Sequence, residues 1–154
     1  MLDAPQIVRT QTQPIAVLPL RVPRAEIQNV MGAGLRELTA AVAAQGIAVS
    51  GPWFTHHRRM PSEVFDFEIG VPVAAEIAAA GRVRPSQWPA LRVARTVYHG
   101  PYEGLAAAWG ELMAWIAAEG HAPAADLWEC YLAGPEAGPD PSRWRTQLDR
   151  PLSG

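Results

Sequence analysis

The sequence predicts an α+β domain made of one strand-helix-strand-strand module used twice. Its strands are antiparallel, its helices lie on one side, and an approximate twofold axis relates the copies. Three observations predict this. Two segments space their apolar residues with a helical period, each is followed by two short strand-like runs, and the two halves align on each other at near-constant offsets. A chain of 154 residues with 49% hydrophobic content is long enough to bury the core of one domain.

Taken in order, residues 1–12 read as an N-terminal tail, and "IAVLPLRV" (Ile15 to Val22) reads as the first strand from its β-branched content. The first helix carries Ile27, Met31, Gly34, Leu38, Ala41 and Val42 on one face, with Arg36, Thr39 and Ala40 opposite. Pro23 and Glu26 mark its start and Gly46 its stop. "WFTHH" (Trp53 to His57) and "FDFEIGVPV" (Phe65 to Val73) follow as a hairpin around the loop "RRMPS". A Pro- and Gly-punctuated connection spans 74–89. The order then recurs: strand "LRVARTVYH", Pro101 and Glu103, a helix striped by Leu105, Trp109, Leu112 and Ile116, a stop at Gly120, then "LWECY" and "WRTQLDRPL" around the longer loop "AGPEAGPDPS".

A shift of 74 lays Leu38 on Leu112, Gly46 on Gly120, and Trp53–His57 on Leu127–Tyr131. A shift of 79 lays Ile69 on Leu148 and Pro72 on Pro151. The offset changes within the hairpin loop, where an insertion is tolerated. This gives a single domain over 13–152, with repeat 1 at about 13–73 and repeat 2 at about 90–152.

Composition excludes several function classes. Thirteen Lys and Arg against 15 Asp and Glu give a net charge of -2, and the basic residues are scattered, so direct nucleic-acid binding is not expected. Cys130 is the only cysteine, which leaves no intramolecular disulfide and no Cys-based metal site. No signal-like or membrane-spanning apolar run is present, so the expected location is cytoplasmic, with no membrane partner. His56 and His57 are adjacent, and His99 and His121 bracket a helix, so no metal-ligand spacing emerges. The glycines of "VMGAGLREL" lie inside a helical pattern rather than in a phosphate loop. Ser50, Ser62 and Ser86 lie near turns, where serine bonds its local backbone. No cofactor is expected.

Glu129 stands out because it is a carboxylate at the centre of a strand. Alternation puts Trp128 and Cys130 on one face and Leu127, Glu129 and Tyr131 on the other; in the first repeat, Phe54 and His56 oppose Trp53, Thr55 and His57. Because Trp128 and Cys130 suit a helix-covered face, the Glu129 face is expected to look away from both helices. Were the halves to meet there, Glu129 and Tyr131 would face Thr55 and His57 across an aromatic-walled cleft. A carboxylate in such a place is costly to desolvate, and a cationic or strongly donating ligand offsets that cost.

"HGPYEGL" (His99 to Leu105), "LWECYL", "DFEIGVPV" and "RTQLDRPL" together resemble the GyrI-like family, the bacterial effector-binding domain, over about residues 13–152. The resemblance implies the duplicated fold and lipophilic, often cationic, aromatic ligands, with Glu129 at the pocket centre. It also implies ligand-facing roles for Tyr131 and Tyr102, while His57 stands where many relatives carry tyrosine. Trp53 and Thr55 complete the candidate ligand-binding set. The implied function is a stand-alone binding protein that senses or sequesters such compounds, any transcriptional effect requiring a separate regulator or target protein. The alternatives are a hydrolase of cyclopropane-bearing or similar electrophilic toxins, with Glu129 as base and Tyr131 or His57 assisting, and a protein-binding inhibitor of gyrase type.

Overall fold

The computed structural model describes residues 1–59, 63–135 and 138–153. The tip of the first hairpin loop, with Ser62, and two residues of the second loop lie outside the described residues. In chain order the elements are β1 (Gln6–Arg9), β2 (Gln13–Pro23), α1 (Ile27–Ala44), β3 (Phe54–His57), β4 (Val64–Pro72), β5 (Arg84–Trp88), β6 (Arg92–His99), α2 (Leu105–Ala118), β7 (Ala122–Pro123), β8 (Leu127–Ala133) and β9 (Arg145–Ser153). A single 3-10 turn leads into each helix, Arg24–Glu26 before α1 and Tyr102–Gly104 before α2. Gly46 and Gly120 follow the helices with φ of 69° and 78°, the left-handed conformation that glycine adopts without a Cβ clash. Among the described residues no helix is long and apolar enough to cross a membrane.

The chain forms two compact units, Gln11–Ala90 and Met1–Thr10 with Leu91–Gly154. In the first, antiparallel pairing gives the strand order β5-β2-β4-β3. Pro19, which has no N–H to donate, lies past the end of β5, where β2 pairs only with β4. Leu38 and Val42 of α1 are fully buried among Leu18, Phe67, Ile69 and Val71. At Gly34 a Cβ would fall 2.8 Å from the Ile69 Cδ1, so glycine permits the close approach of helix to sheet.

The second unit repeats this order as β1-β6-β9-β8, with β7 beside the end of β9. Leu112 and Ile116 of α2 pack on Ala94, Leu127 and Leu148. The strand registers reproduce both sequence offsets: Thr55 pairs with Ile69 as Glu129 pairs with Leu148, and His57 with Phe67 as Tyr131 with Thr146. Each unit takes its edge strand from the segment preceding the other repeat. Thus β1, from the stretch read as a tail, pairs with β6, and β5, from the connection, pairs with β2. The N-terminal segment is tied down further by Asp3, whose N–H donates to the Val97 carbonyl at 2.9 Å and whose carbonyl accepts from the Thr96 hydroxyl at 2.7 Å.

One expectation is reversed. The helices cover the faces bearing Leu127, Glu129 and Tyr131 and bearing Trp53, Thr55 and His57, not those bearing Trp128 and Cys130 or Phe54 and His56. Leu127 packs in the α2 core, and Trp53 and the Phe67 opposite His57 pack in the α1 core. The physical reason is that β8 is buried on both faces, with Leu127, Trp128, Cys130 and Tyr131 all buried, so alternation of polarity does not say which face carries the helix.

Candidate functional site

Glu129 is pinned between α2 and its own strand. Its Oε2 accepts from the indole Nε1 of Trp109 at 2.7 Å, and its Oε1 accepts from the hydroxyl of Tyr131 at 2.8 Å. The strand period of two brings Glu129 and Tyr131 to one face, and the helical stripe of α2 aims Trp109 at the same place. Burial pushes the Glu129 carboxyl above the usual carboxylate range, while the two donors pull it back. Among the described residues no Arg, Lys or His forms an ion pair with it.

A run of aromatic rings leads away from Tyr131. Tyr102, in the turn before α2, lies edge-on to Tyr131 with ring centroids 6.0 Å apart, and it also meets Trp144, at 5.2 Å and 35°. Tyr102 is held there because Tyr98 donates its hydroxyl to the Pro101 carbonyl at 2.8 Å, beneath Gly104, where a Cβ would collide with the Tyr98 hydroxyl. Trp144 is fixed by its own indole N–H, which donates to the Gly138 carbonyl at 3.1 Å.

Three of the six ligand-binding candidates therefore cluster in one unit: Glu129, Tyr131 and Tyr102. The remaining three occupy corresponding strand positions in the other unit. Thr55 is buried, Trp53 packs against the core under α1, and His57 is 5% exposed. The His57 ring stacks on Phe67 at 5.1 Å and 18° and meets Phe65 edge-on at 5.8 Å. Its Nδ1 has no hydrogen-bond partner among the described residues, and burial lowers its pKa to about 4, so the imidazole is neutral at pH 7. His57 thus presents a flat, uncharged ring where Tyr131 presents a hydroxyl.

The opposite sheet face in the Glu129 unit carries a different polar group. Arg95 donates Nε and a terminal nitrogen to the two carboxylate oxygens of Asp149, both at 2.8 Å, and Asp149 is fully buried. Burial pushes the Asp149 carboxyl up, while the forked hydrogen bonds and charge of Arg95 pull it back. Cys130 lies on this face, its thiol pushed well up by burial, which makes it unreactive as a nucleophile. Among the described residues no cluster of three or more His, Cys, Asp or Glu is placed to hold a metal.

Two site residues are not apparent from sequence reasoning, Trp109 and Trp144. Trp109 reads as a member of the α2 stripe, and the one available signal is that a buried indole N–H requires an acceptor. Trp144 occupies the position of Phe65 under the shift of 79, and nothing but that equivalence marks it.

Residues 3–151 match the family described as the GyrI-like small molecule binding domain. No curated protein sequence matches the chain. Among solved structures, the C-terminal domain of EcmrR superposes with a TM-score of 0.84 at 19% identity, covering 97% of each chain. In a structure of EcmrR bound to DNA, this chain spans only 57% of the EcmrR chain. A hydrolase from Listeria innocua superposes with a TM-score of 0.69 at 13% identity, covering 97% of this chain and 91% of that one. SAV2435, solved bound to tetraphenylphosphonium, gives 0.65 at 14% identity, covering 99% and 95%. At these identities the likeness concerns the fold, one shared by a tetraphenylphosphonium-bound protein and by a hydrolase.

Proposed function

The chain belongs to the GyrI-like small-molecule-binding domain family, and from that premise we propose that it binds lipophilic, cationic aromatic compounds around Glu129, as a sensor or sequestering protein. One observation carries this reading: a desolvated carboxylate with two neutral donors, Trp109 and Tyr131, no ion-pair partner among the described residues, and a run of rings that continues from Tyr131 to Tyr102 and on to Trp144. Burial against the rings supplies most of the affinity. The carboxylate supplies the choice of charge, since a cation 4 Å away gains about 4 kcal/mol of Coulomb energy before desolvation at an effective dielectric near 20. Cation–π contact adds roughly 0.5–2 kcal/mol. The complex of SAV2435 with tetraphenylphosphonium, a lipophilic cation, is consistent with this class of ligand on this fold. Trp53, Thr55 and His57 are a second group of proposed ligand contacts.

The test is a pair of titrations with tetraphenylphosphonium and a neutral compound of similar shape, on wild-type protein and Glu129→Gln. The reading expects the cation preference to vanish in the variant while affinity for the neutral compound is kept. An equal preference in both proteins would overturn it.

A second reading is favoured by the 2.8 Å contact between Tyr131 and Glu129, which pairs a base with a phenol. In a hydrolase, Glu129 would take a proton from water, the water oxygen would bond to a cyclopropane carbon, and the breaking C–C bond would pass its electrons into a conjugated carbonyl. Multiple turnovers of such a compound, abolished in Glu129→Gln, would replace the binding reading with this one.

A further inference from the structure

The two hydrogen bonds to Glu129 differ in kind. An indole N–H donates and never accepts, whereas a phenol does both. With the carboxyl ionised, Oε2 accepts from Trp109 and Oε1 accepts from Tyr131, as the 2.7 and 2.8 Å contacts have it. The Tyr131 proton is then committed to Glu129, and the carboxylate's remaining lone pairs present acceptors. If the carboxyl gains a proton, the oxygen facing the indole remains the better acceptor as a carbonyl, so the proton goes to Oε1. There it donates to the Tyr131 oxygen, which releases the phenol proton from that bond.

We propose that Trp109 is a positioning residue that makes Glu129 and Tyr131 a two-state recognition pair, accepting from cationic or N–H-bearing ligands when the carboxyl is ionised and donating to neutral carbonyl or phosphoryl oxygens when it is protonated. This rests on the ligand-binding reading above and extends it to a second ligand class at the same atoms. Among the described residues no ion pair holds Glu129 in one state. Leu148 lies opposite it on β9, Thr146 lies opposite Tyr131, and Thr96 follows on β6. Leu105 and Leu112 flank Trp109 on the α2 stripe. Among the described residues the titratable and charged groups on this face include Tyr131, Tyr102, Tyr98, the last already donating to Pro101, and Arg150. Arg150, two residues beyond Leu148 on β9, donates its Nε to the Ala124 carbonyl at 2.9 Å, while its Nη1 has no partner among the described residues, and Cys130 lies on the other face with its thiol pushed up by burial. Burial pushes the carboxyl above the usual carboxylate range, the direction that favours the protonated state.

The experiment titrates the full chain with tetraphenylphosphonium and with triphenylphosphine oxide, a neutral acceptor of similar shape, by calorimetry between about pH 8 and about pH 5, a window in which neither probe changes charge. Wild-type protein is expected to lose affinity for the cation as the pH falls, by about tenfold per unit below the Glu129 midpoint, and to gain affinity for the oxide through the same midpoint. Tyr131→Phe should keep the first change and lose the second. Trp109→Phe should move both inflections to higher pH, since a donor to the charged form has been removed. A purely structural role for Trp109 predicts equal loss for both probes at every pH with the midpoint unmoved, and that result overturns the assignment. Cation binding that weakens on acidification, with no gain for the oxide, overturns the two-state pair and leaves the binding reading intact. Failure of wild-type protein to bind either probe at any pH overturns both.

Discussion

The indole Nε1 of Trp109 lies 2.7 Å from Oε2 of Glu129, so α2 and β8 meet through a hydrogen bond between an obligate donor and a carboxylate that burial makes costly to ionise. Trp109 is itself 3% exposed, in the core under α2. One side chain therefore holds the helix and orients the carboxylate.

Trp109→Phe keeps an aromatic ring in the core but leaves Oε2 without its donor. Loss of about 1–3 kcal/mol of stability is expected at neutral pH, measured by urea unfolding. Because the folded-state pKa of Glu129 is raised, its contribution to stability is present in full below the unfolded value and is lost as the pH rises through the folded one. Removing the donor extends that loss, so the difference between variant and wild type should be larger at about pH 8 than at about pH 5.

His57 acts with the opposite sign. Its folded-state pKa of about 4 lies below the ordinary 6.5, so its contribution is full above pH 6.5 and is lost as the pH falls from there to about 4. The full shift corresponds to about 3 kcal/mol for this buried ring. His57→Phe, which keeps the stacking on Phe67, should remove that acid sensitivity; subtracting its stability curve from the wild-type curve isolates the effect.

Three glycines predict contrasting outcomes for alanine. At Gly70 a Cβ would run into the Phe54 ring, and at Gly104 into the Tyr98 hydroxyl. Each substitution should cost about 1–3 kcal/mol, and that at Gly104 should also disturb Tyr102 and weaken tetraphenylphosphonium binding. Gly110 is exposed inside α2, and a Cβ there would meet nothing within 4 Å, so Gly110→Ala should stabilise by about 0.5–1 kcal/mol. Thermal unfolding of the three variants checks the order.

Asp149→Ala leaves the Arg95 guanidinium without its bidentate partner. A loss of about 3 kcal/mol is expected in urea unfolding. Asp149 lies on the sheet face opposite Glu129, so the folded variant should bind tetraphenylphosphonium as wild type does. A change in affinity without a change in stability would contradict this division of the two faces.

By itself the sequence determined the module and its repetition. Helical stripes, Gly46 and Gly120 as stops and the offsets of 74 and 79 are local or periodic signals, and the pairings of Thr55 with Ile69 and Glu129 with Leu148 carry the same offsets. It also singled out Glu129, because a carboxylate between Trp128 and Cys130 breaks an otherwise buried strand. Tertiary structure decided which face of that strand meets the helix, because both faces are buried and period-two alternation then has no polar side to mark. It decided the exchange of β1 and β5, since an edge strand's partner is a long-range hydrogen-bonding choice that a run of four or five residues does not encode. And it decided the partners of Glu129. Trp109 is 20 residues away along the chain, and only the packing of α2 on β8 brings a donor that cannot accept to within hydrogen-bonding distance of a carboxylate that has no counter-ion among the described residues.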